Sequence, residues 1–204
     1  MPMPVPSKDV LRQRFRAVRA ALSEPAYAAK SRAITDRAAD LDVLNGAERV
    51  HAYWPLTADR EIDTRPLIRR LRELGTEVVL PVVTQYPPDP PAMEHRLFAG
   101  LEATRENRWG IPEPTNTPSV DPTTLDAVVV PALGAGRNGH RIGHGTGYYD
   151  AFLADRDVPR IALVYDACLV DTVPADPHDV PATTIITETM SLEIPSRSSQ
   201  DVAL

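Results

Sequence analysis

The sequence predicts an α/β protein with a mostly parallel central sheet between two layers of helices. Stretches with strand character alternate with stretches of helical periodicity along most of the chain. Residues 125–131 are almost wholly apolar, which is typical of a strand covered on both faces. A chain of 204 residues with 43% hydrophobic residues suits one globular unit. We therefore expect a three-layer sandwich in a single domain spanning residues 1–204.

Two helices are predicted at the amino-terminal end. Ser7 is a suitable N-cap for the first helix. The apolar face of this helix consists of Leu11, Phe15, Val18 and Leu22. A basic stripe beside that face consists of Lys8, Arg12, Arg16 and Arg19. Ser23, followed by Glu24 and Pro25, indicates the start of a second helix, because proline is tolerated in a first turn.

The rest of the chain alternates between strands and helices. Strands are predicted at residues 49–54, 77–83, 125–131, 161–164 and 183–187. Helices are predicted at residues 64–74, where Gly75 ends the helix, and at residues 148–154. The polar, serine-rich stretch from Ser191 onward is expected to fray. Because ligands bind at the carboxyl ends of parallel strands, the loops after Trp54 and Pro131 are the predicted binding site.

Composition disfavours several classes of protein. The net charge of −6 disfavours a dedicated nucleic-acid binder, which normally carries a basic excess. Cys168 is the only cysteine, so an internal disulfide is excluded. The first residues lack the pattern of a signal peptide, and no apolar stretch approaches the roughly 18–20 residues that span a bilayer. We expect a cytoplasmic protein without nucleic-acid or membrane partners.

Glycine is concentrated in one short segment. The glycines of this segment are Gly134, Gly136, Gly139, Gly143, Gly145 and Gly147. A strand that leads into a glycine-rich loop and then a helix suits phosphate binding, because the backbone can approach closely and the helix start presents unpaired N–H groups. Arg137 and Arg141 are candidates for charge-assisted hydrogen bonds to phosphate. A loop that merely connects two elements remains the alternative.

Other loop motifs fit poorly. The spacing is G-x-G-x-G, whereas a dinucleotide fold uses G-x-G-x-x-G, and no Gly-Lys-Ser/Thr follows as in a P-loop. His140 and His144 are four apart, but a glycine loop does not place them on one helical face, and a zinc site needs three or four ligands. No G-x-S-x-G elbow surrounds a serine. An oxidoreductase, a zinc enzyme and a serine hydrolase are therefore disfavoured.

The run Arg-Ile-Gly-His-Gly-Thr-Gly-Tyr-Tyr-Asp at residues 141–150, shortly after Val-Val-Pro-Ala-Leu-Gly, closely resembles the signature of the 5-formyltetrahydrofolate cyclo-ligase family. Four further segments match in order. They are Lys8 with Arg12, residues 61–64, residues 109–114, and residues 177–181 followed by Ile-Ile-Thr-Glu. The resemblance covers nearly the whole chain. It implies a fold like that of NagB, RpiA and the CoA transferases.

The resemblance also implies an activity, which is closure of 5-formyltetrahydrofolate to 5,10-methenyltetrahydrofolate at the expense of ATP, with Mg²⁺. Implied ATP-binding residues are Lys8, Arg12, Arg141, Ile142, Gly143, His144, Gly145, Thr146, Gly147, Tyr148 and Tyr149. Implied substrate-binding residues are Leu56, Glu61, Trp109, His144, Gly145, Thr146, Gly147 and Tyr148. The implied catalytic residues are Arg141, Tyr148 and Asp150, and the implied metal ligands are Asp150 and Asp179.

Each assignment has a structural alternative. Lys8 and Arg12 also fit a solvated basic stripe, Glu61 a solvated loop charge, and Trp109 a packing aromatic. Asp150 alone fits the start of a helix and Asp179 a turn. The chain departs from many relatives at two positions, His144 and Thr146, where other residues are common; this affects ATP affinity more than the reaction.

Two other functions stay open at this point. One is an ATP-binding paralogue that acts on another substrate, for instance in thiamine-linked metabolism, although Glu61 and Trp109 argue against it. The other is a non-catalytic nucleotide-binding protein, in which the aspartate pair would have no role. The expected partners are the small molecules 5-formyltetrahydrofolate and ATP, bound by a monomer or a weak homodimer.

Overall fold

A computed structural model describes residues 5–86 and 89–195. The helices are α1 Lys8–Ala20, α2 Glu24–Ala39, α3 Asp42–Asn45, α4 Arg65–Glu73 and α5 Tyr148–Leu153. The strands are β1 Arg49–His51, β2 Glu77–Val83, β3 Met93–Leu97, β4 Thr104–Glu106, β5 Pro112–Pro114, β6 Ala127–Val130, β7 Gly134–Gly136, β8 Arg141–Ile142, β9 Arg160–Leu163, β10 Leu169–Val170, β11 Thr184–Ile186 and β12 Ser191–Glu193. Short 3-10 helices lie at Thr57–Asp59, Leu101–Ala103, Pro122–Thr124 and Asp166–Cys168.

The main sheet has the strand order β12-β11-β9-β6-β1-β2-β3. The five central strands pair in parallel with one another; they are β11, β9, β6, β1 and β2. The edge strands β12 and β3 pair antiparallel with β11 and β2. The prediction of an α/β fold with a mostly parallel sheet is therefore confirmed. Two small sheets accompany it, one with the order β10-β7-β8 and one made of β4 and β5.

The central strand β6 shows why the sheet needs two helical layers. Its four residues are all buried. Ala127 and Val129 pack in the core cluster that includes residues of α1, α2 and α4, whereas Val128 and Val130 pack in a second cluster with residues of α5. Successive strand residues point to opposite faces, so a strand buried on both faces must be apolar throughout.

Helix α1 is attached to the sheet by apolar and polar contacts. Ser7 caps the helix, because its side chain accepts a hydrogen bond from the Val10 N–H. Leu11 and Phe15 are buried in the core. Arg19, a member of the basic stripe, is 1% exposed, and its guanidinium donates to the Ala132 carbonyl. The carbonyl that Arg19 holds lies just beyond β6, where the chain leaves the sheet.

The glycine cluster serves two different purposes. Gly134 and Gly136 belong to β7, where close packing leaves no room for a side chain. A Cβ at Gly134 would lie 2.4 Å from the Phe15 ring and 2.5 Å from the Cys168 carbonyl oxygen. A Cβ at Gly136 would lie 2.6 Å from the Val173 nitrogen. These two glycines therefore permit dense packing, a role that differs from the ligand approach expected for the whole cluster.

The observed boundaries differ from the predicted ones mainly at strand ends. Strand β1 stops at His51, before the predicted end at Trp54, and the chain then continues into the loop after β1. The stretch from Ser191 does not begin by fraying, because Ser191–Glu193 pair antiparallel with β11. Residues 196–204, which the same prediction covers, lie outside the described residues.

The connections create a switch point in the middle of the sheet. From β1 the chain passes through α4 to β2 on one side, and from β6 it passes through α5 to β9 on the other. Strands β1 and β6 are neighbours, so their following loops diverge and leave a crevice at their carboxyl ends. These are the loops after Trp54 and Pro131 that the sequence indicated.

A pair of buried histidines lies on the α5 face of the sheet. His51 in β1 and His95 in β3 have ring centroids 5.1 Å apart, and Phe152 contacts both. Neither ring nitrogen of His51 has a hydrogen-bond partner among the described residues. Burial, followed by the charge of Arg156, lowers the pKa of His95 to about 4. Burial, followed by His95, lowers the pKa of His51 well below its ordinary value.

We expect the free energy of unfolding to fall as the pH is lowered from about 6.5 to 4, by roughly 2–3 kcal/mol from His95 and by a further amount from His51. In that window the unfolded histidines bind protons and the folded ones do not, so protonation favours the unfolded state. Urea unfolding at pH 7 and pH 4.5 measures the loss. His95→Phe should flatten the pH dependence of the free energy of unfolding, whereas His178→Gln, at an exposed histidine, should not. If wild type and His95→Phe lost the same stability between pH 7 and pH 4.5, the role of His95 would be contradicted.

No helix within residues 5–86 and 89–195 is both long enough and apolar enough to cross a membrane.

Candidate active site

A cavity of about 610 Å³ opens at the switch point between β1 and β6. It brings together the residues that the resemblance singled out along the chain. They are Lys8, Arg12, Leu56, Glu61, Trp109, Arg141, Ile142, Gly143, His144, Gly145, Thr146, Gly147, Tyr148, Tyr149, Asp150 and Asp179, all of which line the cavity. Arg137, the other arginine considered for phosphate, does not; its guanidinium contacts the Met190 sulfur and lies 3.9 Å from Asp171.

The glycine loop forms one wall of the cavity and leads into α5. Gly145 has a φ of 98° and Gly147 a φ of 76°, in the left-handed region that glycine adopts without strain. Arg12 Nε donates to the Gly143 carbonyl, at 3.1 Å, and a Cβ at Gly145 would lie 3.5 Å from Arg12 Nη2. Arg12 therefore touches the loop and is not part of a solvated stripe.

Lys8 lies one helical turn before Arg12 and contacts a group of acidic residues. Its ammonium pairs with Asp176, at 2.7 Å, and with Asp179. Burial raises the pKa of Asp179, but hydrogen bonds from Lys8 and the Asp176 N–H, together with the charge of Lys8, outweigh burial and lower it below its ordinary value. Ligand atoms of Asp176, His178 and Asp179 lie within 4.8 Å of one another. Asp176 and His178 also line the cavity.

Arg141 and Asp150 form a second charged group. Arg141 Nη2 lies 2.9 Å from Asp150 Oδ1, and Arg141 also donates to the Val180 carbonyl. The same Asp150 oxygen accepts from the Val180 N–H at 3.1 Å. The Arg141 side chain is 5% exposed, so its charge is compensated inside the protein by Asp150. Both hydrogen bonds fall on Oδ1, and within residues 5–86 and 89–195 no hydrogen bond reaches Oδ2.

Glu61 is buried, in contrast to the solvated loop charge that was the alternative. It is 5% exposed, and its Oε2 accepts from the Leu56 N–H at 2.9 Å. Its Oε1 lies 3.8 Å from His144 Nε2, so the loop after β1 meets the glycine loop at this point. The Glu61 carbonyl accepts from the Tyr27 hydroxyl at 2.9 Å, which attaches this loop to α2.

Tyrosines surround the carboxylate of Glu61. Burial, followed by the charge of Glu61, raises the pKa of Tyr53 and of Tyr149 well above the ordinary value, so both stay protonated at neutral pH. The Tyr149 hydroxyl is buried without a hydrogen-bond partner among the described residues. Tyr148 behaves differently, since its hydroxyl donates to the Gln85 carbonyl at 2.6 Å and connects α5 to the segment after β2.

The outer wall of the cavity is aromatic. The rings of Trp109 and Tyr86 meet edge to face, with centroids 5.2 Å apart. Both side chains are largely exposed, at 39% and 48%. Below them, Glu113 accepts from the Val83 N–H and the Asn107 side chain. Trp109 is thus exposed at the cavity and is not a packing residue of the core.

Sequence reasoning missed several residues that line the cavity. They are Tyr53, Trp54, Asp59, Tyr86, Met93, Asn107, Glu113, Asp176 and His178. His178 lay within the run at residues 177–181, and Asp176 directly precedes it, so proximity to that run was an available signal. Tyr86 and Met93 follow no spacing pattern, so no sequence signal identified them.

Comparison with known proteins identifies the family. A sequence profile of the 5-formyltetrahydrofolate cyclo-ligase family matches residues 4–188. The chain belongs to the 5-formyltetrahydrofolate cyclo-ligase family. The 5-formyltetrahydrofolate cyclo-ligase of Mycolicibacterium smegmatis is 34% identical over 142 residues, which are 68% of this chain and 72% of that protein. The enzyme of the same name from Haemophilus influenzae is 27% identical, with 85% of this chain and 94% of that protein covered.

A solved structure supports the fold of this cyclo-ligase family member. The NMR structure of 5,10-methenyltetrahydrofolate synthetase from Aquifex aeolicus has a TM-score of 0.81 and 24% sequence identity, and the match covers 93% of each chain. The predictions that the chain is a cyclo-ligase family member, an enzyme and an α/β protein are confirmed by these comparisons. The roles of individual residues stay predictions.

Proposed function

We propose that this protein converts 5-formyltetrahydrofolate to 5,10-methenyltetrahydrofolate while ATP is converted to ADP and phosphate. The formyl oxygen attacks the γ-phosphorus of ATP, and ADP leaves. The nitrogen at position ten then adds to the activated formyl carbon and releases its proton, and the C–O bond breaks as phosphate leaves with the former formyl oxygen, which completes the new ring. Phosphoryl transfer requires positioning and compensation of charge more than covalent chemistry by the protein.

One observation carries the proposal: the glycine loop, the buried Glu61 and the aromatic Trp109 all line the same cavity. A glycine loop with Lys8 and Arg12 beside it suits a triphosphate. A buried carboxylate suits the amino and N–H donors of a pterin. Since Glu61 and His144 are 3.8 Å apart, a pterin at Glu61 lies next to the loop where the phosphates would bind.

Each site residue has a proposed task. Lys8, Arg12 and the backbone of residues 141–149 hold the phosphates, and Thr146 contributes through its hydroxyl or backbone. Glu61 and the Leu56 backbone, joined by a 2.9 Å hydrogen bond, hold the pterin. Arg141 keeps Asp150 in place through their 2.9 Å contact. Tyr148, whose hydroxyl donates to the Gln85 carbonyl, restricts where the substrate lies.

The acidic residues fit a magnesium ion. Mg²⁺ prefers oxygen ligands and is usually bound by one or two carboxylates together with phosphates and waters. Asp150 and Asp179 would hold it, and Asp150 Oδ2 receives no hydrogen bond in the described part of the chain. When bound, the ion compensates the charge of the transferred phosphoryl group. Lys8, which pairs with Asp179, keeps that carboxylate ionised, with its pKa below the ordinary value.

The proposal also covers the domain organisation, the binding partners, the cellular location and the oligomeric state. We propose one domain over residues 1–204, with small-molecule substrates alone, acting in the cytoplasm as a monomer or weak homodimer.

The experiment measures absorbance in the band of 5,10-methenyltetrahydrofolate after the protein is mixed with 5-formyltetrahydrofolate, ATP and Mg²⁺, and a rise is the expected result. We expect the rise to require both ATP and Mg²⁺, because both belong to the phosphoryl transfer. Omission of each component is the control. A protein that binds ATP but gives no rise would contradict the proposal and favour a paralogue with another substrate.

A further inference from the structure

An exposed arginine covers the aromatic wall of the cavity. Arg108 Cζ lies 4.3 Å from the ring centroid of Tyr86 and 5.5 Å from that of Trp109. An arginine that stacks on aromatic rings keeps the N–H groups at its edge free for hydrogen bonds. The two rings that line the cavity therefore form a flat surface on which a positive charge is stacked.

Arg108 does not itself line the cavity but stacks on two rings that do, and it differs from Lys8 and Arg141 in having no acidic partner in the described part of the chain. Lys8 pairs with Asp176 and Asp179, and Arg141 pairs with Asp150. Among the described residues, Arg108 forms neither a hydrogen bond nor an ion pair. Its guanidinium carries five N–H donors, all of which remain available to a ligand. A cation held by stacking alone is well suited to bind an anion that arrives with the substrate.

We propose that Arg108, together with Tyr86 and Trp109, binds the carboxylates of the glutamate tail of a folate. This inference rests on the proposed function, because it assumes that the substrate is a folate. A folate consists of a pterin, a flat aminobenzoyl ring and a glutamate. The flat ring matches the two aromatic side chains, and the carboxylates match a guanidinium, which can bind them through two parallel hydrogen bonds.

The position of Arg108 separates this task from phosphate binding. Arg12 contacts the glycine loop at Gly143, and Lys8 contacts the acidic group, so these cations belong to the wall formed by α1 and the loop. Arg108 contacts Tyr86 and Trp109, on the wall formed by the segments after β2 and β4. Arg108 is thus a residue that determines specificity for the tail, and it has no role in the chemical step.

The test compares two substrates with Arg108→Ala. One is 5-formyltetrahydrofolate, and the other is 5-formyltetrahydropteroate, which lacks the glutamate. We expect KM for the full substrate to rise about threefold to tenfold, since an exposed charge pair is lost, while kcat changes little. KM for the truncated substrate should be the same in variant and wild type. High salt should diminish the difference, because exposed charges are screened.

Arg105→Ala is the matched control, since Arg105 is an exposed arginine on β4, whereas Arg108 is the arginine that stacks on the Tyr86 and Trp109 rings. It should leave both KM values unchanged. Unchanged KM of Arg108→Ala for the full substrate would overturn the proposal. An equal rise for both substrates would also overturn it, because the contact would then be with the ring system. Absence of turnover in the wild type would instead contradict the proposed function.

Discussion

Asp150→Asn is expected to lower kcat by on the order of 100-fold or more, the largest effect that we expect from a single substitution in the cavity. Asparagine keeps an oxygen that accepts from Arg141 and from the Val180 N–H, which Asp150 Oδ1 does now. It removes the negative charge that would hold Mg²⁺ and that compensates the buried Arg141. The measurement is kcat at saturating substrates over a series of Mg²⁺ concentrations.

Asp155→Asn is the control, because Asp155 is exposed just beyond α5 and does not line the cavity. Thermal unfolding of both variants separates a catalytic loss from a folding defect, since removing one partner of a buried ion pair is destabilising. Asp150→Glu, which retains the charge, should keep more of the activity than Asp150→Asn. Near-normal turnover of Asp150→Asn at limiting Mg²⁺ would be incompatible with the metal role.

Glu61→Gln is expected to weaken binding of 5-formyltetrahydrofolate by about 1.5–3 kcal/mol, the value of a lost hydrogen bond to a charged group. Glutamine retains an oxygen that can accept from the Leu56 N–H, so the loop after β1 keeps its contact. It replaces one acceptor with an N–H donor, which faces the donors of a pterin. ATP binding should change far less, because the phosphates contact other residues.

Calorimetric titration of each ligand measures the two losses separately. Glu73→Gln is the matched control, because Glu73 is exposed at the end of α4 and lies away from the cavity. It should leave both affinities unchanged. Equal losses of folate and ATP affinity in Glu61→Gln would show that the residue supports the whole cavity and is not a specific pterin contact.

Most of the fold followed from local patterns. The parallel strands were predictable because they are buried on both faces, and Glu77–Val83 agrees residue for residue with its prediction. The first two helices were predictable from Ser7 and Ser23, whose side chains accept hydrogen bonds at the helix starts. The antiparallel edge strands were missed, because an exposed strand lacks the continuous apolar run and resembles a polar loop.

The same limit applies to the site. Spacing identified the glycine loop, but it could not separate the tight packing at Gly134 and Gly136 from the cavity wall at Gly145. Arg19 was grouped with Lys8 and Arg12 in one basic stripe by its helical spacing, and only the fold reveals the buried carbonyl that it meets. Contacts such as Arg108 with Tyr86 join distant segments, so no local pattern contains them.

Ligand affinity and the stability of helix α1 against local unfolding are coupled, because the same docked helix supplies both. It presents Lys8 and Arg12 to the cavity, and it is held in the core by Leu11 and Phe15. Each time the helix detaches, the glycine loop loses its Arg12 contact, and the acidic residues lose their counter-ion. A ligand that binds these cations therefore protects the amide hydrogens of α1 from exchange, and a core substitution beneath α1 weakens the ligand without touching it.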